Sequence, residues 1–292
     1  MKALITGSDG QLGTELRLAF RDSLFTDSSD LDITDKTALE KLDTNGIEVI
    51  INAAAYTNVD GAENPAHSSL AEAVNSQGVA NLAQLATRLN IPLVHFSSDY
   101  VFDGTKAGAY TEQDPFNPVN TYGRTKANGD LAAAEHAEHY IFRTSWVVGN
   151  GPGPNFVKTM AKLAEGGVGP AVINDQFGRL TFTKTLAEAV QFALENEIPY
   201  GTYNLTNTGE QVSWYQIAQE VFRLTGHNPD RVSPQSSADY ADSKDQKVAP
   251  RPVNSMLDLS LIESLGFRPP DWRDTLEAYL RHHNFSNKKL IC

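Results

Sequence analysis

Short apolar runs alternate along the chain with longer stretches in which apolar residues recur every three or four positions. The runs Ala3–Thr6 and Val49–Asn52 carry no charge, as is typical of strands buried on both faces of a sheet. Residues 65–89 instead repeat apolar side chains at helical spacing, so they predict one long helix. This alternation of strands with helices predicts an α/β fold with a parallel sheet.

The same patterns predict the remaining elements. Three further strands of the sheet are expected at 24–27, 93–97 and 140–144. Glycines and prolines at 150–154 indicate a domain boundary, and 58–63 and 233–251 are expected to be loops. Helices are predicted over 15–20, 156–164, 186–195, 215–225, 257–265 and 274–283, with strands over 171–173 and 203–205.

Composition limits the kind of protein this can be. With 292 residues, 40% of them hydrophobic, the chain can form one large α/β domain or a domain with a smaller lobe. A net charge of −12 argues against nucleic acid as a partner. The N-terminal apolar run is too short for a signal peptide, and no apolar stretch approaches the ~20 residues of a membrane span. Cys292 is the only cysteine, so the expected location is the cytoplasm.

Three glycines separate the first predicted strand from the first helix, as Gly7-x-x-Gly10-x-x-Gly13. Glycines at such a turn let the backbone approach a pyrophosphate, which lies at the helix N-terminus. The alternative is a tight turn without a ligand, but the position after the first strand favours binding. The pattern predicts a Rossmann-type doubly wound parallel sheet, with a dinucleotide-binding domain over 1–149 and a smaller, mainly substrate-binding C-terminal lobe over 150–292.

An acid follows the second predicted strand. Asp27 lies about 20 residues after the glycines, where a carboxylate can accept from the ribose 2′-hydroxyl of NAD and would repel the 2′-phosphate of NADP. Asp30 and Asp32 lie close by, and each of the three acids can equally be a solvated loop residue. Asp32 and Ile33 are expected beside the adenine.

Tyr122 and Lys126 are four residues apart in a predicted helix, which places both side chains on one face. A free tyrosine titrates near pH ~10, and a neighbouring cation favours the phenolate. Lys126 is therefore expected to lower the Tyr122 pKa and make the pair usable for proton transfer. The alternative is a solvated helix face. Asn120 or Thr121 is the expected N-cap.

Hydroxyl, acidic and small residues end two other predicted strands. Ser98 and Asp99 follow the fourth strand, where a hydroxyl can donate to a substrate carbonyl oxygen or simply cap the strand end. The alanines of 53–57, after the third strand, leave room for a ligand or for close helix packing. His95, within an apolar run, is expected in the core.

Together these segments resemble the extended short-chain dehydrogenase/reductase family and, within it, the dTDP-4-dehydrorhamnose reductases. The glycine turn and Tyr-x-x-x-Lys are typical of the superfamily, whereas SSDYVFDG, RTSWV and NDQFG are more specific. The similar segments follow in order over most of the chain, at 7–13, 52–60, 97–102, 122–126, 142–146, 155–160, 174–178 and 251–255.

The resemblance implies reduction of the C4 keto group of dTDP-4-dehydro-L-rhamnose to dTDP-L-rhamnose by NADPH or NADH. It implies that Tyr122 supplies the proton, that Lys126 bonds the nicotinamide ribose and tunes Tyr122, and that Ser98 donates a second hydrogen bond. It also implies that a segment at about 171–208 returns to the first domain. The implied cofactor-binding residues are Gly7, Gly10, Gln11, Leu12, Gly13, Asp27, Asp32, Ile33, Ala55, Tyr56, Thr57, Tyr122 and Lys126, and the implied substrate-binding residues are Ser98, Asp99, Trp146 and Arg251.

Some features depart from the family pattern or leave alternatives open. Ser98 stands where Thr is common, which keeps the hydroxyl, and the loop 178–181 replaces a common Gly-x-Pro-Thr, so its shape is expected to differ. Trp146 can also be a core aromatic, and Arg251 a surface charge. Some members bind Mg²⁺ through glutamates at a dimer contact. No glutamates can be matched here, so no metal ligand is assigned, and a monomer or homodimer is expected.

Two other functions remain open from the sequence. One is a different nucleotide-sugar reductase or epimerase, which would use the same catalytic residues. The other is a non-catalytic, reductase-like regulatory subunit that binds the nucleotide but serves a partner protein. The methionine adenosyltransferase regulatory subunit resembles this fold in that way. The intact Ser98, Tyr122 and Lys126 favour an enzyme.

Overall fold

Six parallel strands form the central sheet of this computed structural model, which describes residues 1–244 and 248–285. The strands along the chain are β1 (Ala3–Thr6), β2 (Leu24–Thr26), β3 (Val49–Asn52), β4 (Leu93–Ser98), β5 (His139–Thr144), β6 (Val147–Val148), β7 (Ala171–Ile173), β8 (Phe177–Gly178), β9 (Thr181–Phe182), β10 (Gly201–Asn204), β11 (Val212–Ser213) and β12 (Ser233–Gln235).

Helices connect these strands. They are α1 (Gln11–Ala19), α2 (Lys36–Lys41), α3 (Val59–Ala62), α4 (Pro65–Glu72), α5 (Gly78–Leu89), α6 (Thr121–Ala134), α7 (Phe156–Glu165), α8 (Thr183–Glu195), α9 (Trp214–Leu224), α10 (Ser237–Asp242), α11 (Ser260–Ser264) and α12 (Trp272–His282).

The central sheet is covered by helices on both faces. Its strand order is β10-β5-β4-β3-β1-β2. Successive strands are therefore added on one side of β1 and then on the other, which leaves a crevice between β1 and β3 at this switch point. Ile5 and Ile51 pack into a core with Leu186 of α8, whereas Leu4 and Ile50 point to the opposite face. Because both faces are apolar, the strands carry no alternating polar pattern. The predicted α/β fold with a doubly wound parallel sheet is confirmed.

A second hydrophobic core lies outside the central sheet. It is built by α7, α9 and α12 around the fully buried Trp272, with short two-stranded pairs β6-β9, β7-β12 and β8-β11 at its edges. α9 begins with a capping box, in which Ser213 and Gln216 satisfy each other's backbone N–H groups. This core forms the smaller C-terminal lobe.

The chain crosses back from the second lobe to the central sheet. β10 pairs with β5 in parallel, and α8 packs on the sheet beside α1. The predicted return from about residue 171 starts too early, because β7 pairs with β12 in the second lobe. The return to the central sheet begins at α8. The apolar pattern of 171–173 did not reveal which of the two cores that strand joins.

The predicted long helix over 65–89 contains a π-helical segment, Ala73–Gln77, between α4 and α5. This wider turn contains the buried Asn75, whose side chain accepts from Tyr56 N (2.8 Å) and donates to Tyr56 O (3.1 Å) and Thr125 Oγ1 (3.0 Å). π-bulges of this kind occur mostly at functional sites. Asn75 ties the segment after β3 to helix α6.

Three predicted boundaries are wrong. The expected loop 58–63 contains the short helix α3, and the expected loop 233–251 contains β12 and α10. The helix predicted over 257–265 is reduced to α11, because Leu257 forms a bridge with Tyr110 instead of a helical turn. β12 and the bridge at Leu257 depend on tertiary contacts, whereas α3 and α10 begin at local N-caps, Asn58 and Ser236.

Among the described residues, no helix is both long enough and apolar enough to cross a membrane. Cys292, on which the expected location rested, lies outside the described residues.

Candidate active site

A cavity of about 820 Å³ opens at the carboxyl ends of β1, β3, β4 and β5. In open α/β sheets, ligands bind in this crevice where the strand order reverses. A second cleft, of about 620 Å³, lies at the opposite end of the sheet around Met1, Phe20 and Glu48. That cleft has neither the glycine turn nor the Tyr122–Lys126 pair, so the cavity at the carboxyl ends is the candidate active site.

Most of the implied cofactor-binding residues line this cavity together. They are Gly7, Gly10, Gln11, Leu12, Asp27, Asp32, Ile33, Ala55, Tyr56, Thr57, Tyr122 and Lys126. Gly13, Ser98, Asp99, Trp146 and Arg251 do not line it.

The glycine turn is closed by backbone contacts that leave no room for side chains. Gly7 has a φ of 67°, and a Cβ there would lie 2.5 Å from Ala54 N. A Cβ on Gly13 would lie 2.2 Å from Gly7 O, so helix α1 packs directly on the turn. The turn therefore brings free N–H groups at the start of α1 to the cavity, where an anion is favoured.

The acids after β2 lie at one edge of the cavity. Asp27 accepts a hydrogen bond from Asp9 N through Oδ2 (3.2 Å), which fixes its carboxylate beside the glycine turn. Asp32 is exposed and accepts from Thr34 N and Thr34 Oγ1 through Oδ1, both at 2.8 Å. Both acids thus have local backbone roles as well as a place on the cavity wall.

Helix α6 presents Tyr122 and Lys126 to the cavity. Asn120 caps it by accepting from Gly123 N at 2.7 Å, which confirms Asn120 rather than Thr121 as the N-cap. Lys126 is 2% exposed and its Nζ donates to Phe96 O at 2.6 Å. The side chains of Tyr122 and Lys126 lie on one helix face and line the same cavity, as the spacing predicted.

The expected lowering of the Tyr122 pKa is wrong. Burial and the nearby Asp99 carboxyl raise the Tyr122 pKa to about 12, and a contact with the Ser98 hydroxyl only partly opposes them. Burial also lowers the Lys126 pKa to about 8. Desolvation raises the Tyr122 pKa and lowers the Lys126 pKa, because each group is less stable when charged in protein than in water.

Ser98 and Asp99 lie at the end of β4, behind Tyr122. Ser98 Oγ donates to Asp99 Oδ1 at 3.1 Å and accepts from Tyr100 N at 3.1 Å. Burial raises the Asp99 pKa from 3.8 to about 7, although contacts with Ser255 and Ser98 oppose it. Asp99 Oδ2 has no hydrogen-bond partner among residues 1–244 and 248–285.

We expect Asp99→Asn to change how stability depends on pH. Because the folded-state pKa is raised, the contribution of Asp99 is fully present below its unfolded pKa of 3.8 and is lost as pH rises through about 7. Asparagine cannot ionise, so the variant should gain about 2–3 kcal/mol relative to wild type between pH 5 and pH 8.5. Urea unfolding at both pH values measures this; a difference that stays constant with pH would contradict it.

Trp146 and Arg251 lie outside the cavity lining, and each is held by a different contact. Trp146 has a φ of 50° and stacks on Trp214 with ring centroids 3.8 Å apart. Arg251 Nη2 donates to Asp60 Oδ2 at 2.9 Å, which joins two segments that are far apart in sequence. Trp146 therefore packs on an aromatic neighbour, and Arg251 is ion-paired rather than a free surface charge.

The loop at Gly178–Thr181 is shaped by a buried arginine. Arg179 donates to Thr206 Oγ1 (2.9 Å), Leu257 O (2.7 Å) and Gly209 O (3.3 Å). An arginine with these neutral acceptors ties β8 and β9 to the segments after β10 and before α11. This replaces the rigidity that a proline would give the loop.

The sequence did not single out several residues of the cavity wall. Apart from Asp9, which lies within the glycine turn, they have ordinary apolar or hydroxyl side chains and come from segments that no local motif marks. They are Asp9, Ser28, Leu31, Leu70, Val74, Phe96, Ser97, Thr144, Val147 and Leu186.

No group of three or more metal-ligating side chains suited to an ion occurs in the described parts of the chain, 1–244 and 248–285. The polar side chains of the cavity are Tyr122, Lys126, Gln11, three aspartates and several hydroxyl groups, and with the backbone N–H groups of the turn they fit a dinucleotide.

Comparison with known proteins agrees with this arrangement. The family model of the RmlD substrate binding domain matches residues 1–285. A dTDP-4-dehydrorhamnose reductase of Aggregatibacter actinomycetemcomitans is 39% identical over 295 residues, covering 94% of this chain and 97% of that protein.

Two solved structures are similar over almost their full length. A dTDP-4-dehydrorhamnose reductase of Clostridium acetobutylicum is 36% identical with a TM-score of 0.89, covering 97% of this chain and all of that one (100%). One from Bacillus anthracis, in complex with NADP, is 32% identical with a TM-score of 0.88, covering 96% and 99%. All three of these relatives are named dTDP-4-dehydrorhamnose reductases. With the glycine turn and the Tyr122–Lys126 pair in one cavity, these matches show that the chain belongs to the RmlD family.

Proposed function

We propose that this chain reduces the C4 keto group of dTDP-4-dehydro-L-rhamnose to give dTDP-L-rhamnose, with NADPH or NADH as the reductant. The observation that carries the proposal is that Tyr122 and Lys126 line the same cavity as the glycine turn. The relatives that share the whole fold are reductases of this kind by name.

The residues of the cavity fit a nicotinamide dinucleotide. The turn at Gly7 and Gly13 has space only for hydrogen at both positions, which allows a pyrophosphate to approach the backbone. Asp27 at the cavity edge can accept from a ribose hydroxyl, and Ala55, Tyr56 and Thr57 line the opposite wall. A bound reduced nicotinamide supplies the hydride that the carbonyl carbon accepts.

Tyr122 is proposed to give its proton to the sugar oxygen as charge develops there. A phenol with a pKa of about 12 is fully protonated at neutral pH, so it is in the form needed to donate. Lys126 holds its ammonium one helical turn away, where it can bind a ribose hydroxyl and favour the phenolate left after transfer. Ser98, in contact with Tyr122, is proposed to donate a second hydrogen bond to the same oxygen.

The nucleotide sugar is proposed to lie between the two lobes. Asp99, Trp146 and Arg251 are its proposed contacts, although none of them lines the cofactor cavity. We propose a dinucleotide-binding domain over 1–149, completed by α8 and β10, and a mainly substrate-binding lobe in the rest of 150–292. The protein is proposed to act as a monomer or homodimer in the cytoplasm, without nucleic acid or membrane.

The reaction can be tested by the absorbance of reduced nicotinamide. We expect this absorbance to decay when dTDP-4-dehydro-L-rhamnose is added to enzyme and NADPH, to enzyme and NADH, or in each of these two assays. The ratio of the two rates reports the effect of Asp27, whose carboxylate disfavours a 2′-phosphate. dTDP-L-rhamnose in place of the keto sugar is the control that should give no decay.

The same assay separates the alternatives. No decay with either cofactor, together with tight cofactor binding, would contradict this substrate. Decay with another nucleotide-linked keto sugar would then indicate a different reductase or epimerase. Cofactor binding without any reduction, until a partner protein is added, would indicate a regulatory subunit.

A further inference from the structure

Helix α6 carries a third ionisable residue in line with Tyr122 and Lys126. Asp130 follows Lys126 by four residues, so it lies one helical turn further along the same face. Lys126 and Asp130 are each 2% exposed. Two buried opposite charges are therefore one turn apart directly behind the proposed proton donor.

Apart from Asp130, few groups around Lys126 stabilise its positive charge. Its Nζ donates to the neutral carbonyl of Phe96 at 2.6 Å, and none of the ion pairs in the described segments includes it. Burial favours the uncharged amine, which is why its pKa is lowered to about 8, and the charge of Asp130 acts in the opposite direction. An ammonium buried in this way needs a nearby negative charge.

Asp130 is itself held by an arginine. Arg143 Nε donates to Asp130 Oδ2 at 2.9 Å, and the arginine side chain is 6% exposed. Arg143 is further supported by Glu112 O (3.1 Å) and packs over the rings of Phe102 and Phe116. Asp130 Oδ1 has no hydrogen-bond partner among the described residues. The carboxylate is thus fixed on one side and has one oxygen free of hydrogen bonds.

The histidine that packs beneath Lys126 cannot replace Asp130 as a counter-charge. Asn52 Oδ1 accepts from Thr6 Oγ1 (2.8 Å) and Ala54 N (3.1 Å), so its amide group donates to His95 Nδ1 (3.1 Å). His95 Nδ1 is therefore an acceptor, and burial and Lys126 lower the His95 pKa well below its usual value, so the ring is neutral.

The other ionisable groups around α6 are engaged elsewhere. Asp99 lies at the Tyr122 end of the row, and Glu72 accepts from Asn128. Asp60 of α3 pairs with Arg251, and Glu63 accepts from Thr121 N. The elements packed against α6 also carry His67, Arg88, His95, Tyr100, His139, Tyr140 and Arg143, and α6 itself carries Tyr122, Arg124 and Asp130. Asp130 is the one whose charge stabilises the Lys126 ammonium.

We propose that Asp130 is a positioning residue whose carboxylate, fixed by Arg143, keeps Lys126 as an ammonium beside Tyr122. This rests on the proposed function for its link to catalysis, but its effect on Lys126 is a property of the protein alone. Asp130 thereby sets the highest pH at which Lys126 can bind a ribose hydroxyl and support Tyr122.

The proposal predicts a lower Lys126 pKa when either member of the ion pair is changed. Asp130→Asn removes the negative charge and leaves Arg143 unopposed, so the Lys126 pKa should fall by about 1–3 units, the usual effect of a neighbouring charge. Arg143→Gln removes the cation that holds the Asp130 pKa down against burial, so the buried Asp130 should take up a proton and the Lys126 pKa should fall by a smaller amount. Asp130→Glu keeps the charge and is the matched control, with a small shift.

The Lys126 pKa can be measured without any ligand. The 13Cε resonance of Lys126, assigned by its loss in Lys126→Met, is followed by NMR from pH 6 to pH 11 in wild type and the three variants. In parallel, the alkaline limb of the pH profile of kcat/KM should move to lower pH in Asp130→Asn and, by a smaller amount, in Arg143→Gln, and should stay in place in Asp130→Glu. A purely structural role would lower activity in both variants without moving the limb.

The outcomes are distinct. Titration midpoints that fall in Asp130→Asn and Arg143→Gln but not in Asp130→Glu support the proposal, and unchanged or raised midpoints in folded variants overturn it. If Asp130→Asn does not fold, the shift in Arg143→Gln decides. Should the sugar substrate prove wrong, the NMR titration still tests Asp130, so failure of the proposed function and failure of this inference can be told apart.

Discussion

Tyr122→Phe is expected to lower kcat by roughly 100- to 10,000-fold, the usual contribution of a positioned general acid. The change removes only the hydroxyl from a half-buried ring that packs edge-on against Tyr100, with ring centroids 5.5 Å apart. Stability and cofactor affinity should therefore stay close to wild type. Steady-state kinetics of the keto sugar with NADPH or NADH, with a cofactor titration by fluorescence, measure both effects.

The matched control for this variant is Tyr100→Phe. Tyr100 packs on the same ring but does not line the cavity, so its hydroxyl is not expected to act in proton transfer. Its activity should remain within several-fold of wild type. A Tyr122→Phe enzyme that keeps a near-wild-type rate would remove Tyr122 from the mechanism, whatever the substrate.

Gly13→Ala is expected to weaken cofactor binding by about 10- to 100-fold. The added Cβ would lie 2.2 Å from Gly7 O and 2.5 Å from Ser8 Cα, so backbone atoms of the turn must move. Displacing one or two N–H groups from a phosphate removes hydrogen bonds to a charged group, each worth about 1.5–3 kcal/mol, and about 1.4 kcal/mol changes affinity tenfold. Titration with NADPH and NADH, followed by fluorescence, measures the loss.

Gly108→Ala is the control for this substitution. A Cβ at Gly108 would meet nothing within 4 Å, so the same chemical change is made without displacing the backbone. Its cofactor affinity should equal that of wild type. Equal affinities for Gly13→Ala and wild type would mean that the turn does not hold the pyrophosphate.

The two predictions concern different parts of one cavity. The glycine turn follows β1 and Tyr122 lies on α6, which Asn75 connects to the segment after β3. A variant of the turn should therefore affect cofactor binding first, whereas a variant of Tyr122 should affect the chemical step. Separate measurements of affinity and kcat distinguish these effects.

The sequence alone determined the features that depend on neighbouring residues. The buried strands, the glycine turn and the four-residue spacing of Tyr122 and Lys126 all follow from local geometry, because a strand, a tight turn and a helical face are each set within a few residues. The N-cap by Asn120 is local for the same reason. These features were sufficient to predict the fold, whereas the family was predicted from the resemblance of longer segments such as SSDYVFDG, RTSWV and NDQFG.

Only the tertiary structure decided the features that depend on distant residues. The Tyr122 pKa is raised rather than lowered, because burial by other segments and the nearby Asp99 carboxyl disfavour the phenolate. The Asp130–Arg143 pair joins α6 to β5, and the Asp60–Arg251 pair joins segments 191 residues apart. Desolvation and long-range ion pairing arise only when the chain is folded, so no local pattern could reveal that Lys126 depends on Asp130 for its charge.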